Sequence, residues 1–468
     1  MIEYLLTVIP IAVATLLCGY IVALRLIPYQ RQRVAVLVLG DLGHSPRMQN
    51  HVLSLVQNGF EVDFIGYKNS QLRQDISKAA NLICIPSPAK IRTLNKRLFI
   101  LLGLWRSISQ TLRLFWILIY AIRKPEYLLI QNPPAIPTLL VARLVTILLG
   151  NKLIIDWHNF GYSLMSDQFA KNKLLFLFLT KYEQWCGSGA FLHLCVTEAM
   201  AKELQFSWQI RGKVVVLYDK PAAHFKQISP IEQHNLFSRL DMSSQTIQYK
   251  NPNSNESELI FTKSTAKGLA ELKPDRPALI VSCTSWTPDE DFGILFRALS
   301  LYDCAAQDRL TKNKVTVPLS KLIVIITGKG PLRSSFEQLA TDLKLQHVSI
   351  KFAWLEPQDY PILVAAADLG ISLHTSSSGL DLPMKIIDMF GCGTPVCTYY
   401  YPTICELVQN NQNGVYFQDE TELFKKLVDL IGNFPAPNAS ISTLIQGVGE
   451  FKSTWENHWR ERVLPLIQ

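Results

Sequence analysis

The chain has 468 residues, 48% of them hydrophobic, and its 46 Lys and Arg against 38 Asp and Glu give a net charge of +8. That length is too great for one ordinary domain and suits two of roughly 200 residues. The positive balance favours acidic partners such as phosphates, nucleotides and anionic lipid headgroups, while the lack of basic runs interleaved with aromatics argues against a nucleic-acid partner.

In chain order, Ile2–Ile27 is apolar apart from Glu3 and Arg25, and about 20 such residues cross a bilayer core. The stretch reads as a transmembrane anchor over 1–28. A cleavable signal peptide is the other reading, but the segment lacks a basic start and its apolar run exceeds the usual h-region. Arg25, Arg31 and Arg33 follow the span, which by the positive-inside rule places the rest of the chain in the cytosol. The nine cysteines fit that address, because they are scattered without a Cys-x-x-Cys and most sit in apolar runs, as reduced thiols do.

Residues 32–222 alternate strand-like and helix-like runs. "VAVLVLG", "EVDFIGY", "EYLLIQNPP", "NKLIIDWHN", "HLCVTEAM" and "KVVVLYD" are continuous apolar strands, the pattern of a parallel sheet buried on both faces. Between Lys90 and Lys124 lie eight Lys or Arg and no Asp or Glu among two apolar runs. These residues read as membrane-associating amphipathic helices or, alternatively, as ordinary core helices. Residues 223–275 turn polar and Asn/Ser-rich, as in a linker with a mobile loop. A second α/β series occupies 276–435, and a helical pattern closes the chain over 436–468. The expected fold class is α/β, with two doubly wound domains facing across a cleft and ligands at the carboxyl ends of the strands.

Three strand ends in the second series suggest a nucleotide site. "TGKGPL" supplies Gly328, Lys329 and Gly330, and "AWLEP" supplies Trp354 and Leu355, where a base could stack. The stretch "SSSGLDLPMKIIDMFGCGTPV" offers Ser376, Ser377, Ser378, Gly379 and Leu380 ahead of a helix start that favours a diphosphate. Lys385 reaches the same anion, and Asp388, one turn on, suits a ribose diol. The competing view is a plain turn followed by a solvated i,i+3 pair. "DED" at Asp289–Asp291 reads as a solvated helix start rather than a metal site.

A second α/β domain with "GLDLPMKIIDMFGCGTPV" resembles the nucleotide-sugar half of GT-B glycosyltransferases. With "GDLGHSPRMQNH", "IDWHNFGYS", "SCTSWTPDEDFGIL" and the anchor, the chain resembles the chitobiosyldiphosphodolichol β-mannosyltransferase family of the endoplasmic reticulum. The resemblance implies a GT-B fold, GDP-mannose as donor and dolichol-diphosphate-linked chitobiose as acceptor. It also implies a β1,4-linked mannose as product at the cytosolic face of the endoplasmic reticulum membrane. Neighbours there would be membrane lipids and other mannosyltransferases of the dolichol pathway. No metal or cofactor is implied for the chemistry, and divalent-ion stimulation stays open. The chain departs from GT-B relatives in having Ser378 where many carry Glu, Asp388 for a helix Glu, and an acidic "TSWTPDEDFG" in place of Arg and Lys.

A β-mannoside from an α-linked donor requires inversion, hence a general base near the acceptor hydroxyl. Asp41 in "GDLGHSP" is the first candidate, then His158, because imidazole titrates near neutrality, and then Asp156. The alternatives are a turn or capping role for Asp41 and a structural histidine at 158. Lys90, Arg92, Lys96 and Arg97 are candidates for the acceptor's diphosphate or for lipid headgroups. A different nucleotide sugar with another lipid acceptor, or a silent membrane scaffold, are the rival functions.

Overall fold

The structure is a computed structural model describing residues 19–87, 96–164, 173–250, 259–264, 269–287, 289–311, 318–376, 378–436, 438–451 and 454–468. The chain forms two compact units, Met1–Tyr218 with Glu456–Gln468, and Asp219–Trp455.

The first unit holds a parallel sheet of β1 (Gln30–Asp41), β2 (Glu61–Tyr67), β3 (Asn81–Cys84), β4 (Pro125–Asn132), β5 (Lys152–Trp157), β6 (Leu192–Cys195) and β7 (Lys213–Val216). Its order is β3-β2-β1-β4-β5-β6-β7. The order reverses between β1 and β4, which puts the switch point where β1 and β4 lie side by side. Val34 through Leu39 are all buried, so every β1 side chain there is covered whichever face it takes. The helices include α1 (Pro46–Gln57), α2 (Lys96–Trp116), α3 (Thr138–Leu149) and α4 (Lys173–Gly187).

Where a pair of helices is expected near 90–124, a single long helix, α2, runs into a wider turn over Ile117–Ala121. Lys90 and Arg92, and the side chains of Lys96 and Arg97, lie outside the described residues. Residues 19–26 are helical, while 1–18 of the expected anchor are likewise outside. Among the described residues no helix is long and apolar enough to cross a membrane.

The second unit repeats the plan with β8 (Ala278–Cys283), β9 (Leu322–Thr327), β10 (Val348–Ala353), β11 (Leu369–Ser372), β12 (Val396–Tyr399) and β13 (Gly414–Phe417). These strands are parallel in the order β10-β9-β8-β11-β12-β13. Helices α5 (Phe292–Thr311) and α6 (Met384–Gly391) follow β8 and β11. Apolar layers cover both faces of the sheet, one of them centred on Trp286, whose ring lies 4.6 Å from Phe292 and 5.8 Å from Phe352.

Residues 223–275 are more than a linker. Pro230–Arg239 is a helix with a capping box between Ser229 and Glu232. It buries Leu236 and Phe237 in the same core as Leu279 and Val281 of β8. The polar composition conceals this because only one narrow face of that helix is apolar. Helix α7 (Trp455–Arg462) returns the chain to the first unit, where Trp459 is buried.

At the carboxyl ends of β8 and β9 two loops are pressed together. A Cβ on Gly328 would fall 1.8 Å from the Thr284 carbonyl oxygen, and one on Gly330 would fall 1.8 Å from that of Ser285. These glycines of the proposed nucleotide-site turn therefore admit the loop after β8, whose backbone lies against them. Gly330→Ala is expected to lower unfolding stability by about 2 kcal/mol or more, read as a fall in the urea midpoint, because the obstructing atom is backbone and cannot swing aside.

Candidate active site

The second unit gathers most of the donor-side candidates at the ends of β8 to β11. The buried Glu290, just before α5, holds the loop after β8 by accepting from Ser285 N at 3.0 Å and from the Thr284 hydroxyl. Its other oxygen is ion-paired with Lys385 of α6. Glu290 is thus no solvated helix start. Of the three acidic residues, exposed Asp291 alone has that role, accepting from Gly293 N at 2.8 Å. Nothing in the local pattern distinguishes Glu290 from its acidic neighbours, because its partner is 95 residues away.

The serine loop is organised by a residue the sequence reading passed over. Asp381 accepts from the Ser376 hydroxyl and, at 3.3 Å, from that of Ser378. Burial would raise the Asp381 carboxyl, but the nearby His374 and the hydrogen bond from Ser376 outweigh it and hold the group below its usual value. His374 lies between Asp289, at 3.4 Å, and Asp381, at 3.6 Å. Gly379 sits at φ +71, and its carbonyl accepts from the Thr403 hydroxyl. Leu380 N donates to Ser378 Oγ at 3.2 Å. Ser377 lies outside the described residues. No side chain caps the start of α6 after Pro383, which leaves that helix end to an anion.

Lys385 and Asp388 both act on Cys283 at the end of β8, whose thiol burial pushes up to about 12. Lys329 places its ammonium 4.0 Å from the centre of the half-exposed Trp354 ring. Trp354 is therefore open to a ligand, but Leu355 is not. It is buried in the core, since the backbone turns it inward at the end of β10.

In the first unit the candidate bases separate. Asp41 is committed to a turn: its carboxylate accepts from Gly43, Asn69 and Ser70 backbone N–H groups and from the Ser70 hydroxyl. Burial opposes its ionisation, but those bonds prevail and hold its pKa down, which makes it a weak proton acceptor. Asp156 is wholly buried at the end of β5. Arg47 of α1 donates to both its oxygens at 2.8 and 2.9 Å, and His51 and His158 approach Oδ2 at 3.1 and 2.8 Å. Burial alone would raise the Asp156 carboxyl, but Arg47 above all, then His158 and His51, holds it well below the carboxylate range.

Trp459 Nε1 donates to His51 Nδ1 at 3.0 Å. An indole N–H can only donate, so His51 carries its proton on Nε2 and gives it to Asp156. Burial lowers the His51 pKa and keeps that ring neutral. His158 alone of the two histidines reaches solvent, with 24% of its side chain exposed. Its Nε2 faces Asp156, which leaves Nδ1 for a reacting group. Among the described residues no cluster of three His, Cys, Asp or Glu side chains is placed to hold a metal ion.

Comparison with known proteins bears on both units. Residues 305–433 match the family described as "Glycosyl transferases group 1". The human chitobiosyldiphosphodolichol beta-mannosyltransferase is 41% identical over 443 residues, covering 93% of this chain and 92% of the relative. The chain belongs to the chitobiosyldiphosphodolichol β-mannosyltransferase family. This family member is a glycosyltransferase. An Arabidopsis thaliana relative named "UDP-glycosyltransferase TURAN" is 39% identical over 461 residues, covering 94% of this chain and 97% of its own. The crystal structure of Anabaena Alr3699/HepE in complex with UDP-glucose shares the fold, with TM-score 0.58 at 14% identity over 92% of this chain and 97% of that one. The two parallel sheets of the β-mannosyltransferase family member are therefore GT-B-like.

One group in the family member's second unit is held against its own charge. Burial, then the nearby Asp219 carboxylate, raises the Asp388 pKa to about 7. Unfolded, this group ionises near pH 4, so between about pH 4 and 7 the folded chain holds a proton that the unfolded chain has lost. Stability contributed by this site accordingly falls as pH rises through that window. Asp388→Asn should flatten the dependence. Its urea midpoint should match wild type at pH 4, and at pH 8 its stability should be higher by on the order of 2–4 kcal/mol.

Proposed function

We propose that this chain transfers the first mannose, in β1,4 linkage and with inversion, from GDP-mannose to dolichol-diphosphate-linked chitobiose. The observation that carries this reading is the match along 93% of the chain to relatives named for that acceptor, because it spans both units.

In the single displacement, the terminal acceptor sugar's hydroxyl oxygen forms a bond to C1 of mannose as the bond from C1 to the departing phosphate oxygen breaks. The proton of that hydroxyl passes to Nδ1 of His158, while Asp156 positions the ring and stabilises the cation that forms. Arg47 and His51 keep Asp156 ionised, so these groups act through His158. Charge building on the departing GDP is met by Lys385, Lys329 and the uncapped start of α6. Asp388 accepts from the ribose diol. Glu290 holds Lys385 in place until the diphosphate arrives.

The reading extends to the membrane. Residues 1–28 anchor the chain in the endoplasmic reticulum membrane, with both units on the cytosolic side. This is supported by the apolar run Ile2–Ile27, with Arg25 near its end and Arg31 and Arg33 beyond it. A second reading, a UDP-sugar donor, is favoured by the name of the Arabidopsis relative, a UDP-glycosyltransferase.

Both are tested by offering GDP-mannose and UDP-sugars to the full chain with a chitobiosyl-diphosphate on a short isoprenoid. The expected outcome is a product from GDP-mannose alone, removed by β-mannosidase. Transfer from a UDP-sugar alone would overturn the assignment. His158→Ala should lower kcat by roughly 10²–10⁴-fold with donor affinity, read by calorimetry, unchanged. An undiminished kcat would remove His158 from the role of base.

A further inference from the structure

Asp156 holds the His158 ring at one point, through Nε2 at 2.8 Å, and a ring held at one point can still swing. The backbone that carries the ring is fixed from two other elements. Asn132, the last residue of β4, is wholly buried. Its carbonyl accepts from His158 N at 2.9 Å, and its Nδ2 donates to the Asn159 carbonyl at 3.3 Å and to Glu183 Oε1 at 2.7 Å. Oδ1 of the same amide finds no donor among the described residues. The amide is thus turned towards its two acceptors at a cost to its own oxygen.

Glu183 reaches the same turn from α4, where it too is buried. Oε1 also accepts from Gly161 N at 2.8 Å, and Oε2 accepts from Tyr162 N at 3.1 Å. Burial raises the Glu183 pKa, and the bonds from Gly161, Asn132 and Tyr162 are what oppose it. A buried carboxylate without a counter-charge is costly. Leu179 and Cys186, one turn away on either side, are buried on the same face of α4, so an apolar side chain at 183 would pack the helix at less cost. The acid therefore serves the turn rather than the helix. The rest of the turn closes on itself. Asn159 Oδ1 accepts from Phe160 N at 2.8 Å and from the Ser163 hydroxyl at 3.1 Å, and the buried Phe160 ring lies 4.5 Å from that of Trp208.

We infer that Asn132 and Glu183 are positioning residues for the transfer, fixing the turn 158–162 so that Nδ1 of His158 is aimed at the acceptor hydroxyl. This rests on the proposed role of His158 as base. Both side chains act through the backbone of the turn, so the pair governs the rate of the bound complex and not donor affinity. An imidazole displaced by about 1 Å can lower the rate on the order of 10²-fold. The carboxylate is needed as well as its shape. Glutamine is isosteric with Glu183, but only one of its two terminal atoms accepts a hydrogen bond. With three donors converging there, at least one N–H would face the amide nitrogen.

The test is a double-mutant cycle on the full chain in detergent, with GDP-mannose and a chitobiosyl-diphosphate on a short isoprenoid. Glu183→Gln is expected to lower kcat roughly 10²-fold, with KM for GDP-mannose unchanged and the fold intact by tryptophan fluorescence. Combined with His158→Ala it should lower the residual rate no further, because a group acting through the imidazole then has nothing to act through. Losses that multiply in the double variant overturn the inference, as does a Glu183→Gln enzyme as fast as wild type. Should Glu183→Gln not fold, Asn132→Ala carries the same cycle with the same expectation, and failure of both to fold makes the pair part of the fold and overturns the inference. A chain whose kcat does not need His158 overturns the proposed base and this inference with it. A His158-dependent chain indifferent to Glu183 overturns this inference alone.

Discussion

A carboxylate with no access to water must be matched by donors, and in the first unit Asp156 imposes that demand on everything around it. Arg47 supplies two parallel hydrogen bonds, the strong geometry for a buried pair, and also reaches the Leu217 carbonyl just past β7. His51 and His158 complete the shell. One charge at the end of β5 thereby ties α1, the loop after β5 and the exit of β7, and through His51 it holds α7 as well. Removing either member of the Arg47–Asp156 pair would leave the other buried and uncompensated, which costs far more than the pair contributes.

The second unit solves a similar problem with less symmetry. Glu290 is paired with Lys385, so the two loops after β8 and β11 are linked by a charge pair at the strand ends. Asp388, one helical turn from Lys385, has a carboxylate for its charged neighbour, and burial with that neighbour drives it towards the neutral form. The two acidic groups near Lys385 thus differ in state: Glu290 is satisfied in the free protein, and Asp388 waits for donors. In the proposed reading a ribose diol supplies two, which makes the uncomfortable residue the responsive one.

The two-unit α/β plan was legible because parallel strands covered on both faces must be continuous apolar runs, as "VAVLVLG" and "KLIVIITG" are. The strand-end positions of His158 and Lys329, and the place of Lys385 at the start of the helix after β11, followed from the same pattern. What escaped notice depends on distant partners. Asp156 looked like one candidate base among three until Arg47, 109 residues earlier, was seen against it. Glu290 looked solvated because Lys385 lies 95 residues on. That the turn at Gly328 and Gly330 packs on the Thr284–Ser285 loop was equally hidden, because no sequence pattern brings those residues together. The helix at Pro230–Arg239 was missed for a local reason: its apolar face is too narrow to raise the composition around it.

The contact between Trp459 and His51 spans 408 residues of chain. Synthesis runs from the amino end, and at typical ribosomal speeds of about 5–20 residues per second the early sheet is exposed long before α7 emerges. The first unit therefore cannot finish itself as it is made. It must keep its arginine, its two histidines and their buried acid poised while the whole second unit is translated and folds. Only codons that follow the whole second unit deliver the indole that closes the circuit. A premature stop that spared every strand of both sheets would still send out an unfinished first half.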